Sequence, residues 1–151
     1  ETLDLLRGEA DRRRILVLTD IEAELPGILG EPDQLKQLFL NLLLNGLEAM
    51  ATGGTLTVAV GAERERPGER FVTVRVSDTG PGIPPEDLPR VFEPFFTTKT
   101  HGTGLGLAIC RGIADAHRAA LRAERGFDGV GTMFVVQFPT LVPAPLMEAI
   151  R

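Results

Sequence analysis

The stretch EPDQLKQLFLNLLLNGLEAM, residues 31–50, constrains the rest of the chain more than any other. Leu35, Leu38, Phe39, Leu42, Leu43, Gly46 and Met50 recur at i, i+3, i+4 and i+7, the spacing of a core-facing helical stripe. Pro32 suits the first helical position, Glu31 or Gly30 the cap, and Asp33 favours the positive helix end. Asn41, Asn45 and Glu48 stand at i, i+4 and i+7, so they share a second face. Asparagine is a weak helix former, and an amide buried without partners costs roughly 1–3 kcal/mol. Two asparagines one turn apart beside a carboxylate need something polar to meet, either loops of the protein's own core or a ligand.

The chain has 151 residues, 43% hydrophobic and 25% charged, which is enough for one soluble domain with a proper core. A net charge of −5 without a dense basic patch argues against a nucleic-acid surface. Arg12-Arg13-Arg14 sits beside Asp11 and reads as a solvated helix end. The single cysteine, Cys110, lies in an apolar helical stretch and is expected as a buried, reduced thiol. No run reaches the roughly 18 apolar residues of a membrane span, and no signal peptide is visible. The expectation is a cytoplasmic module, with any membrane tether elsewhere in a longer parent.

Around the central helix the pattern alternates. Residues 1–13 carry a short helical stripe through Leu3, Leu6 and Ala10, and ILVLTD (15–20) is a β-prone run. TLTVAV (55–60) and FVTVRVS (71–77) read as an antiparallel hairpin whose turn includes Pro67-Gly68, with Val58, Val60, Val72, Val74 and Val76 available for the core. Residues 78–106 are dense in Gly and Pro and long for a connection, as functional loops are; EDLPRVFE within them suits a brief helix. LGLAICRGIADAHRA (105–119) is a second apolar helix, and LRAER with TMFVVQF forms a last hairpin around FDGVG. The domain is expected over 1–139, with 140–151 as a tail or linker.

Two segments carry chemistry. DTGPGI (78–83) leaves a strand directly, and its glycines let backbone approach closely around a carboxylate that suits a flat amine donor such as adenine. By itself the triplet also fits an ordinary turn or an aspartic protease, but the protease requires a second such aspartate in an all-β setting. HGTGLGLAI (101–109) places Gly102, Gly104 and Gly106 at the start of an apolar helix, where free N–H groups favour an anion. Without Gly-Lys-Ser/Thr it is no Walker loop, and without a preceding strand it is no dinucleotide fingerprint.

NLLLNGLEA (41–49), DTGPGI (78–83), VFEPFFTTK (91–99) and GTGLGLAI (102–109) occur in the order of the N, G1, F and G2 boxes. With Gly131-Thr132 in the last hairpin, the chain resembles the catalytic ATP-binding domain of a two-component sensor histidine kinase, of the Bergerat superfamily that also holds gyrase and MutL-type ATPases. The LEAM ending and the FFTTK-to-GTGLGL spacing resemble the nitrogen-regulation type. The resemblance implies an α/β two-layer sandwich: a mixed, mostly antiparallel sheet covered on one face by about three helices.

It also implies roles. Asn45 would hold Mg²⁺ on the ATP phosphates with Asn41 beside it, Asp78 would bond the adenine amine, Gly80 and Gly82 would shape that wall, and Ile83 would pack near the base. Gly102, Thr103, Gly104, Leu105 and Gly106 would close over the phosphates, and Thr132 would sit behind Asp78. Phe92, Phe95 and Phe96 would anchor an ATP lid spanning residues 81–104. Many relatives carry a phosphate-contacting lysine where this chain has Glu48. Lys99, one of only two lysines, is expected to supply that charge, with Glu48 contacting Lys99 or the metal's hydration shell. A second departure is His117-Arg118-Ala119-Ala120, where relatives often show His-Gly-Gly.

Hydrolytic members of the superfamily use a glutamate as general base at the position of Asn41, and an amide cannot take a proton from water at neutral pH. The expected reaction is therefore transfer of the γ-phosphoryl group to a histidine on a separate dimerisation domain, and through it to a response regulator. Neither His101 nor His117 is followed by an acid, so the acceptor lies outside this chain. The isolated domain is expected to be a monomer. The rival readings are a nucleotide-sensing, partner-binding module that has lost catalysis, and an ATPase clamp that hydrolyses steadily.

Overall fold

Hydrophobic alternation in the strands and the 3.6-residue stripe in the helices both find a partner in one core. The computed structural model describes residues 2–51, 53–64, 70–96 and 105–140. Three helices, α1 (Thr2–Arg12), α2 (Pro32–Ala49) and α3 (Gly106–Ala116), accompany five strands. These are β1 (Ile15–Ile21), β2 (Gly54–Glu63), β3 (Phe71–Ser77), β4 (Ala120–Arg125) and β5 (Thr132–Pro139), in the sheet order β1-β2-β3-β5-β4. β1 and β2 pair in parallel, and every other pair is antiparallel. A parallel pair needs a long crossover, and α2 supplies it, so the helix bearing the asparagines lies over the sheet. The result is the mixed two-layer sandwich expected from the resemblance.

Leu56, Val58, Val74, Val76, Phe134, Val136 and Phe138 pack from the sheet against Leu6, Leu38, Leu42, Leu47, Cys110 and Ile113 of the helices. On the other sheet face Arg75 binds Glu63 at 2.6 Å, and the Thr73 hydroxyl donates to the same carboxylate at 3.1 Å. Burial alone would raise the Glu63 pKa, but the bonds and charge of Arg75, with Thr73 and Gln137, leave it below its ordinary 4.5. A depressed carboxylate adds stability above its unfolded-state pKa and loses it as pH falls through the folded value. Melting temperature should therefore fall as pH drops below about 4.5, and Glu63→Gln, which loses the ion pair with Arg75, should lower the neutral end and flatten that acid limb.

Glu31 is the cap of α2: its carboxylate accepts from the N–H groups of Asp33 at 3.2 Å and Gln34 at 2.8 Å. The N–H of Glu31 donates to His117 Nε2 at 3.0 Å, while His117 Nδ1 bonds the Ile113 carbonyl at 2.8 Å. One neutral imidazole thus ties the end of α3 to the start of α2. α3 stops at Ala116, short of the 119 expected from the apolar pattern, because the chain turns at once into β4. Arg118 takes φ 56° in that turn, a left-handed position that costs a side-chain-bearing residue about 1–2 kcal/mol. Within α3, Gly112 has nothing within 4 Å of an added Cβ. Gly112→Ala should stabilise the fold by about 0.5–1 kcal/mol, read by urea unfolding.

No described helix is long and apolar enough to cross a membrane. The expected turn at Pro67-Gly68 and the tail from residue 141 onward lie outside the described residues.

Candidate functional site

α2 is two-sided as its sequence requires. Leu38, Leu42, Leu43, Gly46 and Leu47 are buried, Asn41 and Asn45 are half-buried along the adjoining face, and Glu48 is exposed at its end. A Cβ on Gly46 would lie 2.6 Å from Leu56 Cδ1 and 3.8 Å from Asp78 Cβ. The missing side chain at Gly46 lets α2 settle onto the sheet at the end of β3, bringing the asparagine helix beside Asp78. That role for Gly46 was not read from the sequence, where it passed as one more small residue in the stripe.

Asp78 follows β3 directly and is only 2% exposed. Its Oδ1 accepts from the N–H groups of Gly80 at 2.9 Å and Thr132 at 3.3 Å. Its own N–H donates to the Thr132 carbonyl at 3.0 Å, so Thr132 meets Asp78 through backbone on both sides. Glycines build the surrounding frame. A Cβ on Gly80 would lie 2.7 Å from the Ala49 carbonyl oxygen, and one on Gly82, at φ 81°, would lie 3.2 Å from that of Gly131. On Gly131, at φ 71°, it would lie 2.0 Å from the Asp78 carbonyl oxygen. Ile83 is half-buried against the core. Thr79, between the aspartate and the first glycine, accepts the Thr55 N–H at 3.0 Å and fastens this turn to the start of β2.

α3 begins at Gly106 with Leu105 as its cap residue, and no side chain caps it there. Both are exposed. Lys99, Gly102, Thr103 and Gly104 lie outside the described residues, as does His101, so the segment expected as a lid, 81–104, is described only over 81–96. Its phenylalanines divide. Phe92 is buried edge-on to Phe134, with the Arg111 guanidinium 4.5 Å above its ring, and Phe96 is half-buried under Arg90 at 4.8 Å. Phe95 is 74% exposed at φ 67°, so it is not part of the apolar seat expected of it. Three phenylalanines on so short a turn cannot all face one core. The brief helix expected in EDLPRVFE is a single 3-10 turn, Leu88–Arg90.

No group of three or more His, Cys, Asp and Glu side chains among the described residues is arranged to hold a metal. A hard cation beside α2 would instead take amide oxygens and whatever oxygens its ligand brings, which is how Mg²⁺ is commonly bound with phosphates. The donor set therefore fits a metal that arrives with a polyphosphate.

A mixed sheet under three helices, with the helix that carries both asparagines packed beside a strand-end aspartate at Gly46, is the catalytic-domain fold of sensor histidine kinases. The chain belongs to the family described as histidine kinase-, DNA gyrase B-, and HSP90-like ATPase, which matches residues 30–142. It is similar to the sensor histidine kinase ZraS of Salmonella typhi, 36% identical over 140 residues, covering 93% of this chain and 29% of that protein. It is likewise 36% identical over 139 residues to sporulation kinase E of Bacillus subtilis, covering 92% of this chain and 18% of that protein. The chain therefore spans less than a third of these curated relatives. Among solved structures, the mycobacterial sensor histidine kinase MprB superimposes with TM-score 0.75 at 30% identity, covering 92% of each chain. Full-length ShkA in complex with AMPPNP gives 0.76 at 30% identity over 95% of this chain and 30% of that one.

Proposed function

We propose that this chain binds Mg²⁺·ATP beside α2 and donates the γ-phosphoryl group to a histidine on another domain. The observation that carries the reading is Asp78: a buried carboxylate fixed by two backbone N–H groups and set against the asparagine helix. The AMPPNP complex of ShkA supports a nucleotide in this fold.

In this reading the Asp78 carboxylate accepts the adenine amine, with Gly80, Gly82, Ile83 and Thr132 forming the wall around the base. Asn45, with Asn41 beside it, would hold Mg²⁺, which neutralises phosphate charge when bound. Gly102, Thr103, Gly104, Leu105 and Gly106 offer backbone N–H groups to the phosphates, and Lys99 supplies the positive charge that Glu48 cannot. In the transfer itself an imidazole nitrogen forms its bond to the γ-phosphorus as the bond to the β,γ-bridging oxygen breaks, and ADP leaves. Such a reaction depends on positioning and charge stabilisation more than on covalent help from the protein. Asn41 in place of a carboxylate base disfavours water as the acceptor.

The test mixes the chain with a histidine-bearing dimerisation domain and γ-labelled ATP. Acid-labile, alkali-stable label on that domain is the expected result, lost in Asn45→Ala and weakened in Lys99→Ala. Nucleotide binding without transfer would favour the sensing-module reading, to which the exposed carboxylate of Glu48 on the asparagine face lends its one support. Steady release of phosphate by the chain alone would favour the clamp.

A further inference from the structure

Ser77 ends β3 with its hydroxyl on the sheet face away from the helices, because Val74 and Val76 take the core side. The residue is 4% exposed, and that hydroxyl has no hydrogen-bond partner among the described residues. What it meets is a cavity of about 230 Å³. Thr55 and Thr57 of β2 add two more hydroxyls from the same face, since Leu56 and Val58 alternate with them toward the core. The 3-10 turn Phe127–Gly129, between β4 and β5, closes the other side with Phe127, Asp128 and the following Val130. Gly126 lets this turn come close: a Cβ there would lie 3.2 Å from Ser77 Oγ. Backbone bonds fix the turn, from the Gly129 N–H to the Gly126 carbonyl at 3.0 Å and from the Val130 N–H to that of Phe127 at 3.1 Å. Phe127 is 50% exposed and Val130 47%, so the cavity has two apolar walls that nothing in the fold covers.

We propose that this cavity is a second binding site, for a small organic cation with an apolar face. A hydroxyl as enclosed as that of Ser77 loses hydrogen bonding unless something polar enters. Water would answer the three hydroxyls but gain nothing from Phe127 and Val130, whose burial favours an occupant that carries carbon. The charged residues along the cavity, Asp78 and Asp128, are both acidic. Oδ1 of Asp78 is engaged by Gly80 and Thr132, and its side chain stands on the α2 side, 3.8 Å from where a Cβ on Gly46 would lie. Asp128, exposed at φ 57° on the turn, is therefore the carboxylate that an occupant meets. An anion is opposed there, while N–H donors on a cation are served by the carboxylate and the hydroxyl oxygens alike. The volume is below the roughly 300–1,000 Å³ of pockets for drug-sized ligands and suits one ring with a charged head group. The site lies across the sheet from the asparagine face of α2, so it does not depend on the nucleotide reading.

The probe is benzamidine, a ring bearing an amidinium, and the readout is the backbone amide NMR shifts of the 151-residue chain without nucleotide or metal. Saturable shifts at Thr55, Thr57, Ser77 and Asp128 are expected, with a dissociation constant of about a millimolar for so small a ligand. Benzoate, of the same size and opposite charge, should give none. Thr57→Phe fills the cavity from an outward strand position that accepts aromatic residues, and should weaken benzamidine by about tenfold or more. Asp128→Asn keeps the left-handed turn, which asparagine tolerates, and should weaken it about two- to fivefold. If Thr57→Phe folds poorly, Asp128→Asn carries the test. Asp78→Asn should leave benzamidine binding unchanged. Shifts centred on Gly80 and Thr132, lost in Asp78→Asn and indifferent to Thr57→Phe, would put the amidine against Asp78 on the α2 side and overturn the proposal. No saturable shift at roughly ten times the expected constant, or benzoate binding as well as benzamidine, would overturn it too.

Discussion

Asp78→Asn should abolish most nucleotide-dependent stabilisation while leaving the fold intact. Oδ1 of Asp78 accepts from Gly80 and Thr132, and an asparagine turned the same way keeps both bonds with its own oxygen. Its other end is then NH₂, a donor facing the donor amine of adenine. The loss is a hydrogen bond to a charged group, about 1.5–3 kcal/mol, or roughly 10- to 150-fold in affinity. Mg²⁺·ADP at 100 times its dissociation constant adds about 2.7 kcal/mol to the parent, a melting shift of about 5–10 °C at this length. At the same concentration a variant weakened 100-fold gains only about 0.4 kcal/mol, a shift of about 1–2 °C. Thermal unfolding with and without ligand measures both values. A full shift retained in Asp78→Asn would remove the aspartate from the nucleotide site, and a parent that does not shift at all would make the boxes relics and bring the partner-binding reading to the front.

That such a variant can be designed before any ligand is seen reflects how much the sequence carries here. The asparagine face of α2, the strand-end position of Asp78 and the hairpin of β2 and β3 are local facts, each written in a period or a short run of residue types. The sheet order follows less directly: the resemblance implies a mixed sheet, but the alternation of TLTVAV or ILVLTD does not say that β1 joins β2 in parallel. The least legible features are contacts between segments far apart in the chain. Cys110 reads as a generic apolar helix position, and its contact with the Leu38 carbonyl depends on how α3 packs on α2. His117 reads as a helix end, yet it accepts from the N–H of Glu31, the cap residue of α2, 86 positions earlier. Phe95 fails in the opposite direction: composition groups it with Phe92 and Phe96, while a left-handed backbone turns it to solvent. In each case the deciding quantity is a direction in space that residue identity does not encode.

Gly131 is the sharpest instance, and Gly131→Ala should be among the most damaging single-methyl changes in the chain. Its φ of 71° costs alanine about 1–2 kcal/mol in any surroundings. In addition, the new Cβ would lie 2.0 Å from the Asp78 carbonyl oxygen and 2.9 Å from Oδ1, so backbone must move, for a further 1–3 kcal/mol or so. Gly129 separates the two contributions. It has φ 74° in the same hairpin, but nothing lies within 4 Å of an added Cβ, so Gly129→Ala pays for conformation alone. Urea unfolding should show a loss of about 1–2 kcal/mol for Gly129→Ala and about 2–5 kcal/mol for Gly131→Ala. The excess at Gly131 should also appear in ligand binding, because the atoms that must give way belong to Asp78. Nucleotide affinity near that of the parent in Gly129→Ala, with a large loss in Gly131→Ala, is the expected pair of results. Equal losses of stability in the two variants would mean that the hairpin yields without disturbing Asp78, and that the aspartate is held by Gly80 and the α2 side of its frame alone.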